Sequence, residues 1–469
     1  MRRLVRDSRR YGLVLATWLV VACGGCPTAV DDAVPGQFVS ITEHGFDKQD
    51  NARDFNDYPW SMAYFTADGA DQGFLYVGTG NSIINIALGR FGLDPGVWPL
   101  FRPPEIRRYR PDLGPEQWEK VLDYRDVETG PDWQTSGFRG MAVYRSAADG
   151  TSWIYAGTFG NQPALWRSST GDAGSWERVW SSPLEGSIRS LTVHNGWLYF
   201  AVSHESGKQR HPGEIYATDG QQFRTVVDDG LGNPFNWGIF SLASFNGYLY
   251  AGTFNREQGY ELWKLEGPDG AAPQRVVAGG GSGAYNHSTT QMVVFGDHLY
   301  VPALVYVGYN HNGIPIFKAA DMVRLDADDN LEVVIGPGSI SGLDSGFGDQ
   351  SNAYLWSMAV HQGRLYCGTW DSSAEISLAI RRWPLVLQNL PAIIKGLLRV
   401  KPRPGPLDRV FGIGAELYVS DDGVNWQRVF NDGLGNPDNY GVRNMLSVGD
   451  VLYIGMANPV DGLEIFEMR

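Results

Sequence analysis

One short pattern returns seven times along this chain and limits what it can fold into. The segments "FLYVGTGN", "WIYAGTFGN", "WLYFAVSH", "YLYAGTFN", "HLYVPAL", "RLYCGTWD" and "VLYIGMAN" align on Tyr76, Tyr155, Tyr199, Tyr250, Tyr300, Tyr366 and Tyr453. Intervals between these tyrosines run from 44 to 87 residues. The shorter ones match one four-stranded unit per repeat, and the longer ones imply insertions. Each unit has the same internal order. A first strand such as "SMAVH" or "SLASF" enters a tight turn, for example Asn195-Gly196 or Asn246-Gly247. Asn-Gly tolerates two successive positive φ angles, which a two-residue hairpin requires. The "LY" strand follows, then a third ("GEIYAT", "YELWKL", "AELYVS") and a fourth ("FRTVV", "QRVVA", "WQRVF"). Four antiparallel strands, seven times over, predict an all-β chain folded as a seven-bladed β-propeller.

The last unit has only three strands, because the sequence ends at "LEIFEMR". "FVSITEHGF" at 38–46 stands before the first "SMAYF" as a fourth strand stands before the next unit. It is therefore expected to pair with the last unit as its outer strand. Such a clasp removes two open edges that would otherwise meet only through side chains.

The scaffold positions are those that recur. "DGLGNPFNWGIFSL" at 229–242 and "DGLGNPDNYGVRNM" at 432–445 are two copies of one junction between units. Asn56, Asn236, Asn286, Asn352 and Asn439 occupy the same place in five of seven junctions. Asparagine bonds nearby backbone and tolerates left-handed φ, so the expected role is structural. Glu105, Glu214, Glu261, Glu416 and Glu464, which open third strands, are read as architectural for the same reason.

Site candidates lie where the repeats differ. Four residues after the junction position stand Trp60, Arg139, Arg189, Phe240, Thr290, Trp356 and Arg443. All belong at the start of inner strands, near one mouth of the central channel. Arg139, Arg189, Arg443, Trp60 and Trp356 are the candidate ligand-binding residues. Guanidinium groups converging in a low-dielectric funnel suit a carboxylate or another planar anion, which they bond in bidentate fashion. The competing reading is that each arginine stacks on an aromatic ring or pairs with a neighbouring Asp or Glu.

Other chemistry is sparse. His204, His211, His287 and His311 fall in loops on the same face, and their spacing demands no metal; they are expected to be solvated. "DADDN" at 326–330 begins like a calcium loop but lacks its glycine and its twelfth-position Glu, so it reads as an acidic hairpin turn. There is no nucleophile elbow, phosphate-binding glycine loop or HExxH motif. No catalytic residue, metal or cofactor is assigned.

The first residues form a separate unit. A basic "MRRLVRDSRR" precedes an apolar "YGLVLATWLVVA", too short to span a bilayer comfortably. "VVAC" at 20–23 resembles the bacterial lipobox, which implies that Cys23 is lipidated and becomes the mature N-terminus. Gly24 after the cysteine implies, by the same resemblance, an outer-membrane destination. An ordinary signal peptide cut near Ala22 is the alternative. The division is thus a leader at 1–22, a linker at 23–37 and the propeller at 38–469. The chain's net charge of −14 argues against nucleic acid as a partner. With Cys23 acylated, Cys26 and Cys367 alone build no disulfide framework.

"SDDGVNW" (420–426), "TGDAGSW" (170–176) and "TDGQQF" (218–223) resemble shortened Asp-boxes, the turn motif of sialidase-like extracellular propellers. That resemblance implies the architecture of 38–469 and a ligand face opposite these turns. Sialidase activity itself fits less well. "FRPP" at 101–104 follows a second strand, sialidase propellers have six blades, and no nucleophilic tyrosine with its glutamate is assignable.

Two insertions, 80–104 and 374–404, interrupt second-to-third-strand connections on the candidate ligand face. The second holds Arg381, Arg382, Lys395, Arg399, Lys401 and Arg403 against Glu375. With Leu387, Leu390, Ile394, Leu397 and Leu398 at near-helical spacing, it reads as a basic amphipathic segment for an anionic surface or partner protein. Pro391 and Gly396 interrupt it, and the alternative is a loop folded over the face as extra core. Together these features predict a lipid-anchored module of the bacterial cell envelope, outer membrane or periplasm, binding a partner protein, glycan or small anion. The alternative is a sialidase-like glycan hydrolase or lyase using the arginine funnel.

Overall fold

The computed structural model describes residues 36–42, 44–46, 56–81, 102–113, 117–127, 135–204, 210–306, 308–309, 315–316, 318–372, 414–459 and 461–469. The leader, Cys23, nearly all of the linker, most of 80–104 and the whole of 374–404 lie outside the described residues. Within them the chain is all-β and its strand pairing is antiparallel throughout. No helix there is long and apolar enough to cross a membrane.

The fourth repeat shows the unit. Gly238–Phe245 pairs with Tyr248–Phe254, that strand with Leu262–Leu265, and that in turn with Gln274–Val277. Asn246 and Gly247 join the first two with φ of 47° and 79°, as Asn195 and Gly196 do at 45° and 79°. All seven repeat tyrosines lie on second strands and are buried. Small residues two places later keep neighbouring units close: a Cβ on Gly252 would stand 2.1 Å from Thr289 Oγ1 of the next unit.

The N-terminal strand pairs where the sequence places it. Phe38, Val39 and Ser40 lie opposite Met468, Glu467 and Phe466. Ile41 donates its N–H to Ile465 O (2.9 Å), and Ile465 N donates to Thr42 Oγ1 (2.7 Å). The strand is shorter than expected, because His44–Phe46 is not part of it. Gly45 and Phe46 have φ of 67° and 73°, so this piece forms a left-handed turn.

That turn recurs. Gly230-Leu231-Gly232, Gly433-Leu434-Gly435 and Gly346-Phe347-Gly348 each place three successive residues at positive φ. Leu and Phe resist this conformation by about 1–2 kcal/mol each, and the junction asparagines help to hold it. Asn56, Asn236, Asn286, Asn352 and Asn439 each donate Nδ2 to the glycine carbonyl that opens the turn (Gly45, Gly230, Gly280, Gly346, Gly433; 2.9–3.1 Å). Each amide also meets a carboxylate at the start of the third strand: Glu105, Glu261, Asp321, Glu416 and Glu464. The architectural reading of the Asn and Glu positions therefore holds in these units, with Asp321 serving in the fifth. Glu214 differs, accepting from the Tyr216 hydroxyl (3.1 Å).

The Asp-box-like turns are self-bonded. Asp422 Oδ1 accepts the N–H groups of Val424 (2.8 Å) and Asn425 (2.7 Å). Burial opposes its charge, but these N–H groups, the Asn425 side chain and Ser420 outweigh it and hold the carboxyl down at about 2. "DADDN" is an acidic turn, with Asp326 capping Asp328 N and Asn330 N (both 2.9 Å).

Candidate functional site

The residues singled out at strand starts sit on backbone irregularities. Strand register shifts between Pro59 and Ser61, Phe138 and Gly140, Ile188 and Ser190, Ile239 and Ser241, Leu355 and Ser357, and Val442 and Asn444. The extra residues at these β-bulges are Trp60, Arg139, Arg189, Phe240, Trp356 and Arg443. Thr290, the seventh, falls between the short strands Ser288–Thr289 and Val293–Phe295. A bulge leaves one residue out of the ladder and re-aims its side chain, a device frequent beside functional sites. Side-chain identity does not reveal a bulge, so sequence reasoning found the positions and missed their geometry.

The bulged aromatics are seated in glycine slots. A Cβ on Gly137 would stand 2.1 Å from the Trp60 ring, and one on Gly441 would stand 2.2 Å from the Trp356 ring. Tyr58 bridges the two tryptophans, 6.0 Å from Trp60 and 6.1 Å from Trp356, and also meets Tyr440 at 6.0 Å. These rings form one apolar cluster with Phe159 and Trp370.

Each candidate arginine lies over an aromatic ring from an adjoining unit. Arg139 Cζ is 5.0 Å from the Trp60 centroid and 5.1 Å from that of Phe159 in its own unit. Arg189 Cζ is 3.6 Å above Phe240, and Arg443 Cζ is 5.2 Å from Trp356. All are within cation–π range. The structure therefore groups Trp60 with Arg139 and Trp356 with Arg443 around Tyr58, while Arg189 rests on Phe240.

Arg443 Nε is sealed from solvent with no hydrogen-bond partner. Among the described residues no carboxylate forms an ion pair with it. Burial, and then the positive charge of Arg139, lower its pKa to about 9, which leaves it a cation at neutral pH. Each of the two like charges lies beside an aromatic ring, where Coulomb repulsion is screened less than in water. Arg139 also reaches towards the next unit, donating Nη1 to Ser187 Oγ at 3.1 Å.

Other candidates resolve differently. His204 and His287 are buried rather than solvated. His204 Nδ1 lies 2.8 Å from Glu185 O, and His287 Nδ1 accepts Tyr306 N at 2.9 Å. Burial and the Arg256 charge push the His287 ring down to about 4, so it is neutral. Each ring thus joins a backbone group 19 residues away in sequence, a partner that loop position could not reveal. His211 meets the His204 ring at 5.8 Å, and His311 lies outside the described residues. Arg102 of "FRPP" is buried and bonds Glu105 Oε1 through Nη2 at 2.7 Å, a structural pairing. Among the described residues, no three His, Cys, Asp or Glu side chains are grouped to hold a metal ion. No protein-family model matches this chain, and no curated protein sequence matches it.

Proposed function

We propose that the protein is a seven-bladed β-propeller that acts as an anion-binding module, with the ligand received at the bulged mouth beside Arg443. One repeated contact supports the closed architecture. The residue after a bulge bonds the carbonyl of the residue before the next unit's bulge: Ser61 Oγ to Phe138 O (2.8 Å) and Ser357 Oγ to Val442 O (2.7 Å). Asn444 Nδ2 makes the same contact to Pro59 O (2.5 Å), from the last unit to the first. The Asn458 N–H likewise reaches Asp57 O (2.9 Å), as Asn255 N reaches His287 O (2.8 Å) between the fourth and fifth units.

The observation that carries the binding reading is Arg443: a guanidinium with no ion-pair partner among the described residues, under the electrostatic influence of Arg139 and beside the Trp356 ring. The stacking of all three arginines fits the structural alternative too, but a ring contact engages only the face of the Arg443 guanidinium and does not use its in-plane N–H groups. Titration of the protein with glucuronate, sulfate and acetate, followed by tryptophan fluorescence, tests the reading. Saturable quenching is expected, and it should vanish in Arg443→Ala. Identical titrations in the two proteins would refute it.

The envelope assignment is part of the same proposal and rests on the lipobox-like Cys23. Cys23→Ala should move the protein from the detergent phase to the aqueous phase. The basic segment 374–404 is proposed to meet an anionic surface or partner protein; its removal should weaken binding to anionic vesicles while the β fold persists.

A further inference from the structure

The sixth unit departs from the others at one buried amide. Four of the five junction asparagines receive a hydrogen bond at Oδ1. Asn56, Asn236 and Asn439 accept from Nδ2 of Asn81, Asn255 and Asn458 (3.0, 2.9 and 3.0 Å), and Asn286 accepts from Asp321 N (3.2 Å). Asn352 Oδ1 is buried and accepts none. Opposite Asn352 in the strand register stands Asp371, at the place where the first, fourth and seventh units have asparagine. A carboxylate there brings acceptors where a donor is wanted. The glutamate that opens the third strand differs as well. Glu105 is ion-paired with Arg102 (2.7 Å) and Arg107 (2.8 Å), and Glu261 with Arg275 (2.7 Å). Glu416 is buried, and among the described residues it meets only neutral donors: Asn352 Nδ2 and the Tyr418 hydroxyl (2.9 Å), both on Oε2. Arg428 faces Tyr418 in the register as Arg275 faces Trp263, yet it makes no ion pair with Glu416.

We propose that the sixth unit keeps a proton on Glu416 and uses it as a latch on the turn Gly346-Phe347-Gly348. The latch is independent of the anion-binding reading. A buried carboxylate without a cation is unfavourable, whereas a protonated carboxyl is neutral and adds an O–H to a cluster otherwise rich in acceptors. Two paths join this group to the turn. The Asn352 amide that meets Glu416 also holds Gly346 O (3.0 Å). Tyr418 bonds Glu416 through its hydroxyl, while its ring stacks on Phe347, 3.8 Å away and 10° from parallel. Phe347 has φ of 60°, so the turn closes against its own backbone preference. Burial, and with it the charges of Asp349 and Asp371, raise the Glu416 pKa to about 8. Burial and Glu416 push Tyr418 well above its ordinary value, with the Arg428 charge acting the other way, so this hydroxyl stays neutral over the same range. Lifting the turn admits water to Glu416 and returns it towards its ordinary 4.5. Between about 4.5 and 8 the open form releases a proton that the closed form keeps. Opening therefore becomes more frequent as pH rises through that window.

Hydrogen exchange of the full chain between about pH 5 and 8, corrected for the intrinsic pH dependence of exchange, is the test. The probes are the Gly346 and Gly348 amides, bonded to Ala320 O (2.7 Å) and Asp344 O (3.1 Å). Their protection should fall by up to about tenfold per pH unit. Glu416→Gln, which stays neutral, should abolish that slope. The Gly230 and Gly280 amides, bonded to Gly213 O (3.2 Å) and Tyr260 O (2.9 Å) in the equivalent turns, should keep their protection. Asp371→Asn supplies the amide donor of the other units and keeps Glu416 in place. It removes one charge that retains the proton, so the fall in protection should end at a lower pH. Protection independent of pH, a slope that survives Glu416→Gln, or an unmoved end point in Asp371→Asn would overturn the latch. An equal fall at Gly230 and Gly280 would overturn it too, since that is a uniform loss of stability.

Discussion

Arg443 lies over Trp356, its guanidinium carbon 5.2 Å from the ring centre, and no carboxylate among the described residues pairs with it. If the proposed function holds, a charge placed this way contributes recognition rather than cohesion. Arg443→Ala should change unfolding free energy by less than about 1 kcal/mol, because it also removes the repulsion with Arg139. A loss of about 3–5 kcal/mol, the cost of breaking a buried ion pair, would instead make the residue structural. Urea denaturation of the variant decides this.

The junction asparagines predict the opposite behaviour. Asn236 donates to Gly230 O (2.9 Å) and Glu261 Oε2 (2.8 Å), and its own Oδ1 accepts from Asn255 (2.9 Å). Asn236→Ala should cost about 2–4 kcal/mol, since several buried partners lose a bond at once. Asn236→Asp should cost more at pH 7, where it sets a second carboxylate against Glu261. Chemical denaturation at pH 7 and pH 4 measures both, and the Asp variant should recover part of its loss at the lower pH.

Glu416 makes stability depend on pH. Burial raises its pKa from 4.5 to about 8, and the charges of Asp349 and Asp371 push the same way against hydrogen bonds from Asn352 and Tyr418. Below about pH 4.5 this group is protonated in both folded and unfolded chains and costs nothing. Between about 4.5 and 8 the unfolded chain releases the proton while the folded chain keeps it. Its contribution to stability therefore falls as pH rises through that window, by a few kcal/mol in all. Glu416→Gln should flatten the slope between pH 5 and 8, read as melting temperature against pH.

The N-terminal strand is expected to be indispensable. Ile41 is buried and its carbonyl accepts the Trp118 indole N–H at 2.7 Å. Ile41→Ala alone should cost about 2–5 kcal/mol. Deleting 36–46 should cost more, since it exposes the edge of Glu464–Met468 as well. A truncated protein that melts at the original temperature would show that the pairing carries little of the stability.

Much of this was legible because the repeats act as internal controls. The seven tyrosines, the Asn-Gly hairpins and the N-terminal partner of the last unit all follow from period and turn chemistry. The bulges were not legible, since Trp60, Arg139 and Phe240 share no side-chain property that would signal an unpaired residue. "EHGF" reads as strand by position, yet Gly45 and Phe46 form a left-handed turn whose counterpart is Gly346-Phe347. His204 and His287 looked solvated in a polar context and are buried in hydrogen-bond roles. The contacts of Arg210 with Trp237 and of Arg256 with Tyr306 were not legible, since only the fold brings these residues together. Sequence separation hid that association.

The bond from Ile465 N to Thr42 Oγ1 joins residues 423 positions apart. During synthesis the strand Phe38–Ser40 leaves the ribosome more than 420 residues ahead of its partner Glu464–Met468. At about 5–20 residues per second that interval is tens of seconds. Throughout it, an unpaired edge must stay free of other strands. Contacts so distant in sequence also slow the final association. The nascent chain is thus exposed to misassembly until Glu464–Met468 arrives, and a holding chaperone would act most usefully on Phe38–Ser40.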